Sequence, residues 1–237
     1  LRLDQVDPGF DAHGTIAVAL TLPTARYESY DKVRAFYDDL IERIRQVPGV
    51  ESVAATTRLP LTEIGWTGEM VSAGRAPADN ILEVGHVQVT PDYFRTMRVR
   101  LVKGRAFTEL DRDPARPVVV INEALAREYF RGQDPIGQAV AFDRTRSPVQ
   151  PWRTVVGVVA NEHQTRLSAT PQVEVFHPFA ESGARATKIV IRARGTSPMQ
   201  LAAPVRRLVA TLDPALAIAS IEPLTAIRLR SLARERF

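Results

Sequence analysis

The sequence predicts an α+β fold in two interlocked parts: two β-α-β units that pair into one sandwich, and a mixed, β-rich segment inserted between them. Three observations carry this expectation. A strand–helix–strand pattern near the N-terminus is punctuated at every joint, and the same plan recurs near the C-terminus. Between them, short apolar alternations replace helical spacing.

Thr15 to Leu22 (TIAVALTL) alternates as a strand. Ser29 caps a helix in which Val33, Phe36, Tyr37, Leu40, Ile44 and Val47 recur at spacings of three and four. Pro48-Gly49 ends it, and Val50, Val53 and Ala55 lead a second strand as far as Thr57. In the C-terminal copy, Lys188 to Arg194 (KIVIRAR) is a strand and Ser197 caps a helix with Pro198 at its first position. Leu201, Val205, Leu208 and Leu212 form the helix stripe, Asp213-Pro214 closes it, and Ala215 to Ile221 returns as a strand. Pro204 falls inside the stripe, so the helix is expected to kink there or to have an irregular first turn. The pairing of the units implies a four-stranded sheet with both helices on one face. The expected boundaries are 1–59 with 186–223 for the split part, 60–185 for the insertion, and 224–237 for a basic tail.

In the insertion, Leu82 and Val84 alternate on even numbers and Val87 and Val89 on odd ones, which a bulge near Gly85-His86 would reconcile. Thr90-Pro91 starts a helical turn carrying Tyr93, Phe94 and Met97. Val99 and Leu101 are expected on one face of the next strand, with Arg98, Arg100 and Lys103 on the other, and Gly104 turns the chain. Val118 to Ile121 has the apolar, valine-rich character of a buried strand. Asn122 follows as a helix N-cap with Glu123 at the positive end of the dipole, Leu125, Tyr129 and Phe130 form the apolar face, and Gly132 with Asp134-Pro135 stops the helix. Ala139 to Phe142, Thr154 to Ala160 and Val173 to Phe176 are further strands, with a polar loop from Asp143 to Pro151.

At 237 residues the chain has enough length for a sizeable core, and its apolar and charged fractions are those of a globular protein. No apolar run approaches the roughly 20 residues that a membrane helix needs, and the first ten residues lack a signal pattern. Leu1 is not a natural first residue, so the chain is expected to be part of something longer. The absence of cysteine excludes disulfides and thiolate sites. The net charge is +4, and most of it sits in Leu224 to Phe237, where Arg228, Arg230, Arg234 and Arg236 face one glutamate. The rest is near neutral, which argues against a nucleic-acid footprint.

No constellation for catalysis stands out. His13, His86, His163 and His177 lack helical two-histidine spacing, though His163 and His177 both follow strand ends and allow a spatial pair. Asp111-Arg112-Asp113 starts like a calcium loop but has Arg116 and Asn122 where glycine and glutamate are required. No G-x-S-x-G elbow, P-loop or G-x-G-x-x-G is present. Val102 to Phe107 has a faint likeness to an RNA-recognition strand, but the stacking aromatic of its continuation is missing. Asp38, Asp39 and Glu42 read as a solvated helix face. Trp66, in the glycine-bounded loop from Thr62 to Gly68, is either a partner anchor or a side chain folded back on its own core.

Several segments occur in a familiar order: Asp7-Pro8-Gly9-Phe10, Pro48-Gly49-Val50, Leu59-Pro60-Leu61, Val89-Thr90-Pro91-Asp92-Tyr93-Phe94, Gly104-Arg105-Ala106-Phe107, Asn122-Glu123-Ala124, Gly132-Gln133-Asp134-Pro135-Ile136-Gly137 and Val156-Gly157-Val158-Val159. In this the chain resembles the extracytoplasmic core domain of MacB/FtsX-like ABC-transporter permeases, of the orphan type, over nearly its whole length. The resemblance implies a domain held outside the cytoplasmic membrane between two transmembrane helices. Its split part would be a porter-like (ferredoxin-like) subdomain and its insertion a Sabre-like one. It implies a permease homodimer, a separate cytoplasmic ABC ATPase, an adaptor or envelope protein as partner, and no catalytic residue, cofactor or metal. On this reading Trp66, Leu59 and Leu61 are partner-contact candidates, and Arg228, Arg230, Arg234 and Arg236 belong to a helix approaching lipid headgroups or to a solvated helix end. A soluble ferredoxin-like binding module for nucleic acid or protein, without a membrane role, is the alternative.

Overall fold

A computed structural model describes residues 6–63, 65–73, 81–142, 151–195 and 197–234. The split part is present as expected. It comprises β1 (Thr15–Thr21), α1 (Tyr30–Arg45), β2 (Val50–Thr56), β10 (Ala186–Ala193), α4 (Ala202–Leu212) and β11 (Ile218–Pro223). The strands run in the order β11-β1-β10-β2 with every neighbour antiparallel. The Ser29 side chain accepts from the Lys32 N–H and so caps α1. One face of this sheet packs Ile16, Val18, Ile189 and Ile191 against Val33, Tyr37 and Leu40 of α1 and Val205 and Val209 of α4.

The C-terminal helix begins differently from the expectation. Ser197 makes no side-chain cap bond, and Pro198–Leu201 form a separate 3-10 turn. The α-helix proper starts at Ala202, which places Pro204 in its first turn. The N–H that proline lacks is there one of the donors that a helix leaves unpaired, so no kink is required.

The insertion closes on itself. Its strands are β3 (Trp66–Ser72), β4 (Leu82–Val89), β6 (Val118–Asn122), β7 (Ala139–Phe142), β8 (Arg153–Val159) and β9 (Glu174–Pro178). The chain of pairings β4-β3-β7-β8-β6-β9 returns through a parallel β9–β4 contact, giving a ring of six strands. Met70, Val84, Val119, Ile121, Val140, Phe142, Val155 and Val175 form a core with Leu125, Tyr129 and Phe130 of α3 (Glu123–Phe130). β5 (Leu101–Gly104) lies outside the ring on β8.

Three local expectations are corrected. β4 pairs with β3 without a register shift, so no bulge exists at Gly85-His86. An undistorted strand shows its even residues to one side and its odd residues to the other. Val84 enters the ring core, whereas Val87 and Val89 enter a second core outside it. Leu101 is not a core residue beside Val99: it is 43% exposed, whereas Val99 is buried. Residues 66–72, read as part of an irregular loop, form β3. The loop expected from Asp143 to Pro151 lies, but for Pro151, outside the described residues.

The second core joins the two parts. Ala17, Ala54 and Val190, on the sheet face away from α1 and α4, meet Val87, Val89, Val118, Val120 and Phe176 from the outside of the ring. Tyr93, Phe94 and Met97 of α2 (Tyr93–Met97) fill the space between, as do Leu224, Ile227 and Leu232 of α5 (Leu224–Arg234). The strand-to-strand seam between the parts is narrow, and elsewhere the Asp11 N–H donates to the Met97 carbonyl and the His163 N–H to the Pro8 carbonyl. β2 and β4 share one bridging pair, Thr56 with Val89, flanked by Thr57 N–H to the Gln88 carbonyl and Thr90 N–H to the Ala55 carbonyl.

Candidate functional site

Two places concentrate polar and aromatic chemistry: one mouth of the ring, and the joint between ring and sheet. At the mouth, Trp66 opens β3 directly opposite His86 of β4, and the ring centroids stand 4.0 Å apart. His86 Nδ1 and His177 Nε2 are 2.8 Å apart, and Phe142 packs edge-on against both imidazoles. Burial first, then His86 and Arg153, hold the His177 imidazole well below its ordinary range. His177 is therefore held neutral, and one imidazole donates to the other. Trp66 stacks on the chain's own core at His86 and remains 53% exposed.

The other two partner-contact candidates are placed differently. Leu59 and Leu61 are 4% and 2% exposed and belong to the core at the joint, so they present no surface to a partner. The chain beside them carries the joint's charge. Arg58, just beyond β2, is buried and ion-paired with buried Glu174 of β9 at 2.5 Å. Glu174 also receives the Gln164 amide at 3.3 Å, and its backbone N–H donates to the Asn122 side chain. Next to this pair the Tyr93 hydroxyl donates to both oxygens of buried Glu162, at 3.0 and 3.2 Å. Burial pushes the Glu162 carboxyl up to about 7 against the pull of Arg58.

On the surface, the joint opens as a cleft of about 340 Å³ between α1 and the insertion. Two ion pairs cross it, Asp38 to Arg112 and Arg45 to Asp92. Asp38 is thus more than a solvated helix charge, whereas Asp39 and Glu42 pair within α1 to Arg43 and Arg45.

The basic tail is largely folded into the molecule. Its apolar residues Leu224, Ile227 and Leu232 face the joint core rather than lipid. Arg230 is paired with Glu222 at 2.6 Å, Arg228 is half-buried, and Arg234 is exposed. Arg236 lies outside the described residues. The spatial pair of histidines is His86 with His177; His163 instead sets its ring against the Arg166 carbonyl. Among the described residues no group of three or more histidines, aspartates or glutamates is placed to hold a metal, and no helix is long and apolar enough to cross a membrane.

Sequence reasoning missed Arg58, Glu162, Glu174 and Tyr93 as one cluster. The signal was slight: a glutamate inside the apolar run Val173 to Phe176, and an arginine between a strand end and Leu59.

Fold and site together define an α+β domain whose ferredoxin-like sheet is split by a closed ring, with its buried charges at the joint. The chain belongs to the family of MacB-like periplasmic core domains, which it matches over residues 4–208. A 90-residue stretch is 34% identical to the macrolide export ATP-binding/permease protein MacB of Aggregatibacter actinomycetemcomitans, covering 37% of this chain and 13% of that protein. The crystal structure of the periplasmic region of MacB from Actinobacillus actinomycetemcomitans is similar over 97% of each chain, with a TM-score of 0.64 and 16% identity. A domain of a putative permease protein from Porphyromonas gingivalis is similar over 90% of this chain and 92% of its own, with a TM-score of 0.58 and 19% identity. The extracellular domain of the noncanonic ABC-type transporter YknZ from Gram-positive bacteria is similar over 86% of this chain and all of its own, with a TM-score of 0.56 and 15% identity. At these identities the solved structures speak for the fold alone.

Proposed function

We propose that this chain is the extracytoplasmic domain of an ABC-transporter permease of the inner membrane, and that it transmits ATP-driven conformational change to substrates or partner proteins outside. The observation that supports this most is the family match over residues 4–208, in a fold whose two parts share a single β-bridge and a common apolar core. Residues 1–59 with 186–223 act as one body and 60–185 as the other, and the joint between them is where a force applied at one is felt at the other. The partners on this reading are the permease's own transmembrane helices, a second copy in a homodimer, a cytoplasmic ABC ATPase, and an adaptor or envelope protein. Trp66 is the residue offered to an outer partner, since a half-exposed tryptophan on a fixed platform has the character of an interface anchor. Arg228, Arg230, Arg234 and Arg236 are assigned to the membrane-proximal side.

This chain has no native cysteine, so labels placed in it report from chosen positions once any cysteine elsewhere in the full-length protein is replaced. Spin labels at Ala35→Cys on α1 and Arg127→Cys on α3, both exposed, report the distance between the bodies. In the full-length permease with its ATPase, this distance is expected to differ between the nucleotide-free and vanadate-trapped states. An identical distance distribution in both states would refute the mechanical reading.

A further inference from the structure

The charge balance at the joint is incomplete. Among the described residues, Arg58 is the one cation set against two fully buried carboxylates. Glu174 has the closer claim, with a 2.5 Å ion pair and the Gln164 amide besides. Glu162 is held by the Tyr93 hydroxyl. The guanidinium is itself not saturated, because its buried Nε makes no hydrogen bond. A carboxylate with no cation of its own is costly to ionise away from water.

Among the described residues, the surroundings of Glu162 supply no further charge. Facing it are Tyr93 from α2, Arg58 from beyond β2 and Glu174 from β9. The N-terminal segment meets it with backbone, as Gly9 lies against the Asn161 carbonyl and the Glu162 Cα. Asp7 in that segment accepts from the Gly9 N–H, and neighbouring His163 is turned to Arg166. The cluster also spans the joint, since Arg58 extends from the sheet, Glu174 lies on the ring, and Tyr93 lies on the helix packed between them.

We propose that Glu162 carries a proton while ring and sheet are packed together and releases it when the joint opens to water, so that the joint is a proton-coupled hinge. The coupling rests on the two-body reading given above; the proton itself does not. The packed joint is then favoured in acid and weakened as pH rises through neutrality, in keeping with a Glu162 carboxyl raised to about 7. A hydrated Glu162 would titrate in the ordinary range and lose its proton on opening.

The test has two parts. In this chain labelled with ¹³C-glutamate, the Glu162 Cδ signal is assigned by its loss in Glu162→Gln. It is expected to report a neutral acid at about pH 5.5 and to titrate near neutrality, well above the exposed carboxylates. A carboxylate signal at about pH 5.5 would overturn the proposal. Tyr93→Phe removes the donor that favours the ionised form, so the Glu162 midpoint should rise, and an unmoved midpoint also counts against the assignment. The Ala35→Cys/Arg127→Cys label pair then tests coupling. Its distance distribution should change between about pH 5.5 and about pH 8.5, and the change should vanish in Glu162→Gln. A distance that responds to nucleotide in the full permease but not to pH here overturns the hinge and leaves the function standing. A response to pH with none to nucleotide does the reverse.

Discussion

Asn122 was expected to cap a helix, and it does, accepting from the Leu125 N–H at 2.9 Å. Its tertiary role is larger. The same oxygen accepts from the Glu174 N–H at 3.1 Å, and the amide donates to the Gln172 carbonyl at 2.7 Å, all in a fully buried position. Asn122→Ala therefore strands the buried Glu174 N–H besides the cap, while the Gln172 carbonyl keeps the Gln164 amide, and the expected loss is about 2 kcal/mol, where an exposed cap costs about 1. Urea denaturation measures it, and a change below the cap value would mean that water replaces those bonds. At Glu162 the sign follows from a folded-state value raised to about 7 against an ordinary 4.5. Its contribution is most favourable below the ordinary value and is lost as pH climbs through the folded one. Glu162→Gln should thus gain on wild type as pH rises, by up to roughly 3 kcal/mol above neutrality, and by little at about pH 4. Parallel denaturation curves across pH check this, and a constant difference would sink it.

At the scale of elements, the legible ones were those whose signals are local. Ser29 and Pro48-Gly49 bound α1 as read, and the buried run at Val118 became a strand buried on both faces because its alternate residues serve two cores. β3 escaped notice because Trp66-Thr67-Gly68-Glu69 has neither alternation nor β-branched density, and its pairing with β4 and β7 comes from distant chain. Gly104 shows how closely these elements are fitted. Its φ is +70°, and a Cβ there would stand 2.3 Å from the Val156 carbonyl oxygen. Gly104→Ala should cost on the order of 2–4 kcal/mol and loosen β5 from β8. Amide hydrogen exchange should show faster exchange confined to those two strands, and unchanged protection would mean that the seam yields without cost.

For the molecule as a whole, stability and motion meet at the joint. Arg58→Met leaves Glu174 buried without its cation and should destabilise the fold by about 3–5 kcal/mol, whereas adding Glu174→Gln should recover most of that loss. Equal destabilisation by the single and double variants, measured by thermal unfolding, would mean that the pair is not what holds the joint. Ring closure, the second core and the cluster around Arg58 were not legible because each depends on residues far apart in sequence, as in the 116-residue separation of Arg58 and Glu174. The sequence by itself determined the two β-α-β units, their pairing into one sheet, the Ser29 and Asn122 helix caps, and, through motifs kept in order, the family. These rest on side-chain periodicity and turn chemistry within a few residues. Only the tertiary structure decided that Leu59, Leu61 and the apolar side of the basic tail are core, that Trp66 stands half-exposed on a histidine pair, and that Glu162 lies beside Arg58. Burial and charge balance arise from what packs against a residue, and at this joint the packing is supplied by the other part of the chain.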